Sequence, residues 1–261
     1  KGYLYVDKTD IIWQLANRGR KYNYLNRPRR FGKSVLVDTL QAYFEGRKEL
    51  FEGLKIMDLE TEWTKHPVIR LDMSRAGSSA HELNAYLNQA FKEYEQKYSI
   101  EASPSDSLPN RFDAIIQSAY QQTGQQVVVL VEGYDSPLLN SWNTPHHEEC
   151  VSIYLNVFTI LKADDEYEEF VLITGTTKFT KLSLFSGLNN LSNISFEPEY
   201  AAICGITKEE LQNDFKPEIE KLADYENWTF DEAVAQLQAH YGGYHFSRKN
   251  MVDVFNPFSL I

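Results

Sequence analysis

Residues 22–34 constrain this chain more than any other stretch. Tyr22, Asn23, Tyr24 and Leu25 read as a short buried strand that runs through Arg27, Pro28, Arg29, Arg30 and Phe31 into Gly32, Lys33 and Ser34. Val35, Leu36, Val37, Leu40, Ala42, Tyr43 and Phe44 then recur at helical spacing up to Gly46. Strand, loop and helix in this order are the setting of a phosphate-binding loop, G-x-x-x-x-G-K-[ST]. In such a loop backbone N–H groups cradle phosphates, the lysine reaches the β- and γ-phosphates, and the hydroxyl holds Mg²⁺. Arg27 stands where the first glycine of that pattern belongs. A Gly-Lys-Ser triplet is common by chance, so the rest of the chain has to supply the context.

Part of that context is the run Val127, Val128, Val129, Leu130 and Val131, the pattern of a central parallel strand buried on both faces. It ends in Glu132, Gly133, Tyr134 and Asp135, at the carboxyl end of a strand, where α/β sheets place their ligands. A carboxylate there orders Mg²⁺ opposite the loop serine, which makes Glu132 and Asp135 candidates. Residues 170–175 give a third buried strand ending in Thr174. When such a strand lies between the loop strand and the acidic strand, it presents a polar residue to the γ-phosphate. Thr174, Thr176 and Thr177 are available, with Lys178 a weaker candidate.

The remaining pattern predicts short strands at 3–6, 68–73 and 201–206 and helices near 11–17, 78–98, 111–122 and 150–161. Loops are expected at 102–109 and, with a short helix as the other option, at 183–195. Thr207 and Glu210 form a capping-box pair that opens a further helix. Another helix covers 229–241, and short strands are expected at 244–246 and 252–258. This suggests a main domain over 1–206 and a small helical or winged-helix-like region over 207–261. With 261 residues, 43% of them hydrophobic, the chain can bury one large core with such an appendage. A net charge of −11 argues against a surface built to hold nucleic acid non-specifically. The local basic patch of Arg27, Arg29, Arg30 and Lys33 suits a polyphosphate better. Cys150 and Cys204 are far apart and read as buried thiols in a reducing, cytoplasmic setting. No apolar run approaches the ~20 residues of a membrane span, and the first residues lack a signal-peptide layout. Either end can be a boundary within a longer protein. His146 and His147, in a loop rich in Pro, Glu and Asn, read as solvated side chains.

Taken together, these segments resemble the bacterial AAA-ATPase-like family. The resemblance rests on Tyr5, Val6, Asp7, Lys8 and Thr9 paired with the loop from Arg27 to Ser34, and on Thr174 to Phe179 followed by Ser183 to Leu191. It extends through Ile203 to Leu211, Tyr241 to Phe246 and Phe255 to Leu260. It implies an α/β P-loop NTPase with a mainly parallel sheet flanked by helices, ATP and Mg²⁺ as cofactors, and ATPase activity. An arginine in place of the first loop glycine is ordinary for the family, and full-length members often continue into a nuclease-like domain of the PD-(D/E)XK class. On this reading Arg27, Pro28, Arg29, Arg30, Phe31, Gly32, Lys33, Ser34 and Val35 hold the nucleotide. Ser34, Glu132 and Asp135 hold the metal, and Lys33, Glu132, Asp135 and Thr174 form the catalytic set. One departure matters: the family's acidic strand typically ends Asp-Glu-Tyr-Asp, and Gly133 lacks the second acid, the usual candidate to orient or deprotonate the attacking water. Three functions follow in order: an Mg-dependent ATPase acting as a regulatory or motor module, a nucleotide-gated switch with little hydrolysis, and a nucleic-acid-binding module of a nuclease-associated protein.

Overall fold

Side chains alternate across a strand, and the three apolar runs of this chain use that alternation to serve two cores at once. In the computed structural model, which describes residues 4–101, 106–177, 191–249 and 252–260, β1 (Tyr22–Asn26), β2 (Val68–Asp72), β3 (Val127–Glu132), β4 (Glu168–Gly175) and β5 (Ser192–Asn193) form one sheet. Its order is β2-β3-β4-β1-β5, and every neighbouring pair is parallel. Tyr22, Tyr24, Val127, Val129, Val131, Val171 and Ile173 face one core. Leu25, Val68, Val128, Leu130, Phe170 and Leu172 face the other. On the first face pack α3 (Ala80–Lys97), α4 (Leu108–Thr123) and, beyond α5 (Ser136–Ser141), α6 (His147–Phe158). On the second pack α1 (Thr9–Arg18) and α2 (Lys33–Phe44). The expected mainly parallel α/β architecture is present, with β4, last of the three apolar runs, inserted between β1 and β3.

The register decides what the sheet is for. Asn26 lies beside Gly175 and Asp72 beside Glu132, so the carboxyl ends of β1, β4, β3 and β2 reach one edge together. At the outer strand β2, the Tyr94 hydroxyl accepts a hydrogen bond from the Arg70 N–H at 2.7 Å and donates to its carbonyl at 3.2 Å. That satisfies an edge which would otherwise invite pairing with another chain.

Several local expectations change. Residues 4–8 belong to no strand; the Asp7 carboxylate instead accepts from the Thr9 N–H at 2.9 Å and starts α1. Residues 201–205 are turns, and only Ile206–Thr207 is a strand, paired antiparallel with Val254–Phe255. Tyr244 adds an isolated bridge to Val254. Ser192–Asn193, read as part of a loop, is the edge strand β5, whereas 183–190 and Lys178 lie outside the described residues. From residue 208 the chain forms helices Lys208–Asp214, Lys216–Glu226 and Phe230–Tyr241 around a cluster of Ile206, Leu211, Ile219, Ala223, Val234 and Phe255. The capping box of Thr207 and Glu210 forms, and the same Glu210 carboxylate takes the Lys8 ammonium at 2.5 Å.

At the opposite, amino-terminal end of the sheet, Glu168 is fully buried. It accepts from the Tyr22 hydroxyl at 2.7 Å through one oxygen, and its other oxygen has no partner among the described residues. Burial, reinforced by the nearby Asp164 charge and opposed by the Tyr22 hydrogen bond, raises its pKa from 4.5 to about 8. Asp164 is raised by burial and by its contact with Asp113. A carboxyl that keeps its proton longer when folded stabilises the fold at low pH, and this contribution is lost as pH rises from 4.5 to about 8. Glu168→Gln retains an acceptor for Tyr22 and should flatten the fall in melting temperature across that window, measured by thermal denaturation as a function of pH. An equally steep fall in the variant would place the pH dependence elsewhere.

Candidate functional site

The turn after β1 is anchored before it bends. Arg27 N–H donates to the Gly175 carbonyl at 3.1 Å, continuing the β1–β4 pairing by one residue. The chain then turns through Arg30 at φ 61° and Gly32 at φ 91°. A Cβ on Gly32 would meet nothing within 4 Å, so its left-handed backbone, not crowding, is what asks for glycine. Leu36 N–H closes on the Gly32 carbonyl at 3.1 Å and α2 begins. Its first turn has no acidic residue and no side-chain cap. That leaves N–H groups and the positive end of the helix dipole facing outward, as anion-binding helix starts require.

Lys33 Nζ lies inside this turn, donating to the carbonyls of Arg27 at 2.8 Å and Pro28 at 2.7 Å. Burial lowers its pKa, and nearby Cys204, Asp135 and Glu132 partly offset that. Ser34 Oγ donates to Glu132 Oε1 across the gap between α2 and β3. Glu132 Oε2 in turn accepts from Arg70 at 2.9 Å, and Arg70 also reaches Asp38 and Gln41. Burial alone would lower the Arg70 pKa; the hydrogen bonds to Asp38 and Glu132 outweigh it and raise it. Lys33, Ser34 and Glu132, three residues singled out from the sequence, are thus brought to one place. Arg70 and Asp38 were missed. The signal was a charged residue in the middle of an otherwise apolar strand, on the same side as Val68 and Asp72.

Three other expected residues are committed elsewhere. Asp135, expected at the metal, is 1% exposed, and its Oδ2 accepts from Thr176 N–H at 2.8 Å, Thr176 Oγ1 at 2.6 Å and Thr177 N–H at 2.7 Å. That carboxylate clamps the turn after β4. Thr174, expected to face the γ-phosphate, is fully buried within the sheet, its hydroxyl donating to the Val131 carbonyl at 3.4 Å. Thr176 and Thr177 are the accessible threonines beyond it. Arg27 is fully buried as well; its guanidinium donates to the carbonyls of Asn26, Ser195 and Tyr200 at 2.8–2.9 Å and lies 4.0 Å from the Phe246 ring centre. Burial lowers its pKa to about 10, so it stays charged at neutral pH as part of the scaffold. Phe31 is buried against Tyr244 and Phe246. Arg29, Arg30 and Val35 are exposed on the rim. Gly133 has φ 61°, and a Cβ there would come within 3.3 Å of Ser74 and Ser136. His147, read as solvated, meets the Ser141 hydroxyl at 3.1 Å, but Ser141 is fully buried in a helix, where no substrate reaches it.

Two openings flank the loop. One, about 600 Å³, lies in front of Lys33 and Ser34 and is walled by Arg30, Val35, Pro257 and Phe258. The other, about 280 Å³ and mainly apolar, runs between residues 4–8, α2 and residues 203–206. They share Gly32, Val35 and Pro257. Because the Arg27 side chain satisfies three carbonyls from a buried position, Arg27→Gly, which restores the ordinary first glycine of the loop, should destabilise the fold by on the order of 3 kcal/mol. Chemical denaturation measures this; an unchanged or raised stability would contradict the scaffold role.

A curated relative, an uncharacterized protein in the vnfD 5' region of Azotobacter chroococcum mcd 1, is 36% identical over 262 residues, covering 99% of this chain and 48% of its own length. The chain therefore spans about half the length of the curated relative it matches. Among solved structures, Cdc6p from Pyrobaculum aerophilum is similar over 83% of this chain and 46% of its own, with a TM-score of 0.35 and 15% identity. The model of the AAA-ATPase-like family, described as a predicted AAA-ATPase, matches residues 1–185. The chain belongs to the AAA-ATPase-like family of predicted AAA-ATPases.

Proposed function

We propose that this chain binds ATP with Mg²⁺ at the Gly32 turn and turns it over slowly, serving as a nucleotide-dependent regulatory module. The observation that carries the reading is the meeting of Ser34, Glu132 and Lys33 at the start of an uncapped helix. Lys33 would exchange its two carbonyl partners for phosphate oxygens, and the N–H groups of the turn would hold the rest of the polyphosphate. Ser34 and Glu132 already share a hydrogen bond, so two oxygen donors converge on one point. That fits Mg²⁺, which takes one or two carboxylates and completes its shell with phosphate and water. Among the described residues no group of three or more His, Cys, Asp or Glu could hold a metal alone. Bound there, the ion would neutralise charge on the β- and γ-phosphate oxygens. Arg70 holds the second oxygen of Glu132, which lets the first turn to the ion without loss of position. The apolar cavity beside Gly32 suits the base, with Val6, Ile12, Leu36 and Ile206 among its walls.

Slow turnover follows from Gly133. The residue after Glu132 has no carboxylate to take a proton from water, and Asp135 is held by three donors. The net charge of −11 argues against the nuclease-associated reading for this chain. No described helix is long and apolar enough to cross a membrane. Both cysteines are buried and free, which suits a reducing cytoplasm.

Titration calorimetry with ATP and Mg²⁺ should show binding to the wild type, weakened on the order of 10- to 100-fold in Lys33→Ala, the worth of a charged hydrogen bond. No heat from the wild type would refute the proposal. In a phosphate-release assay Gly133→Glu should exceed the wild type by at least about tenfold, as a positioned general base allows. It should also melt earlier, because a side chain at that left-handed position costs about 1–2 kcal/mol. Equal release from both proteins would sink the slow-turnover reading and leave binding intact.

A further inference from the structure

Three side chains of the phosphate loop end on the C-terminal segment. Arg27 lies over Phe246, Phe31 packs edge-on against Tyr244 at 5.1 Å and Phe246 at 5.3 Å, and Arg30 lies 3.8 Å from the centre of the Phe258 ring. They differ in depth. Arg27 and Phe31 are wholly buried, whereas Arg30 is exposed and Phe258 is 61% exposed. The first two therefore fix the loop to the tail, and the third can open without disturbing a core.

Its position gives the third contact a consequence. Arg30 holds a left-handed φ of 61°, sparsely allowed for a residue with a side chain, two positions before Gly32 in the turn that would carry the phosphates. Pro257 and Phe258 wall the opening in front of Lys33 and Ser34, and Pro257 also walls the apolar cavity. The helical turn Pro257–Leu260 therefore stands where the two spaces meet. A guanidinium on an exposed ring face makes a weak contact; on phosphate oxygens it makes charge-assisted, often paired hydrogen bonds, which are stronger.

We propose that Phe258 gates the nucleotide site: its ring holds Arg30 aside, and an entering triphosphate draws Arg30 onto its phosphates and releases Phe258. The Pro257–Leu260 turn then reports occupancy of the loop to whatever it contacts. This rests on the nucleotide reading above, and its failure can be told apart from the failure of that reading.

The test is binding of a fluorescent N-methylanthraniloyl ATP with Mg²⁺ to the wild type, Phe258→Ala, Phe258→Leu, Arg30→Ala and the Arg30→Ala/Phe258→Ala double variant. Phe258→Leu keeps apolar bulk at an exposed position and guards against a folding artefact. Both Phe258 variants should bind about two- to fivefold tighter, the worth of an exposed cation–π contact. Arg30→Ala should bind more weakly, and removing Phe258 from it should add nothing. In the wild type, amide exchange over residues 252–260 should quicken on ATP addition and stay unchanged in Lys33→Ala. Binding by the wild type with no gain in the Phe258 variants, a loss in them, or a gain that persists without Arg30 would overturn the gate alone. Absence of binding in every protein would overturn both the gate and the nucleotide reading.

Discussion

A buried guanidinium underlies the phosphate loop, and the shape of the loop depends on it. Taking a charge out of water is costly unless every donor finds an acceptor. Arg27 meets most of that demand with carbonyls from three separate places, its own strand end at Asn26, the turn after β5 at Ser195 and the turn at Tyr200, and leaves only its Nε–H without a partner among the described residues. Phe246 covers its face. Such directional demands are met in one arrangement of those segments and few others. The loop is therefore shaped by its own side chain, before any anion arrives, and the arginine that replaces the usual first glycine works from below the turn. Lys33 draws on the same economy of carbonyls, since the Arg27 and Pro28 oxygens that hold it are turned inward by that anchoring.

The division of labour between the two acids after β3 has a similar local cause. Glu132 is still in the ladder, paired in register with Asp72, so its side chain lies toward α2 and meets Ser34. At Gly133 the backbone turns left-handed, and Tyr134 N–H returns to the Thr174 carbonyl at 3.0 Å. Asp135 is thereby carried over to β4, where the N–H groups of Thr176 and Thr177 await it. Tyr24 and Tyr134 both donate to the Thr177 carbonyl, at 3.0 and 2.7 Å, and fasten the same turn from the other side. One carboxylate thus faces the loop and the other stiffens the neighbouring strand end. Only Gly133 and Tyr134 separate the two roles.

What could be read from the sequence follows the range of the forces involved. Five apolar residues from Val127 to Val131, and the helical spacing after Ser34, report burial on a local period, and both elements formed. So did the order of strand, loop and helix that brings Lys33, Ser34 and Glu132 together. The contacts that could not be read are those whose partners are remote in sequence. Nothing near Arg27 announces Ser195 or Tyr200, more than a hundred and sixty residues on. Asp135 reads as a free acid until the turn at Thr176 is set beside it. Residues 201–206 have strand-forming composition, yet Val254–Phe255 meets only Ile206–Thr207, and the rest becomes turns. Arg70 was legible only as a charge in an apolar strand; its partners Asp38 and Glu132 come from two other elements.

Packing runs across residue 206 without a break. The tail has its own apolar cluster, but Val6 from the first residues packs into it, and the Lys8 ammonium, mostly removed from water, is held by Glu210 of the first tail helix. Phe31 joins the loop to the tail: its carbonyl accepts from Gly205 N–H at 3.1 Å, and its ring meets Tyr244 and Phe246. A Cβ on Gly205 would come within 2.5 Å of that ring, so the turn at 205 can approach the loop only because it is glycine. A motion of the tail as a rigid body would have to break the Lys8 pair, expose Phe31 and strip the ring from Arg27 together. Those costs fall on the loop itself. The tail and the phosphate loop therefore move as one unit or through the exposed contact at its end, and the residues that link them are those that set the loop's shape.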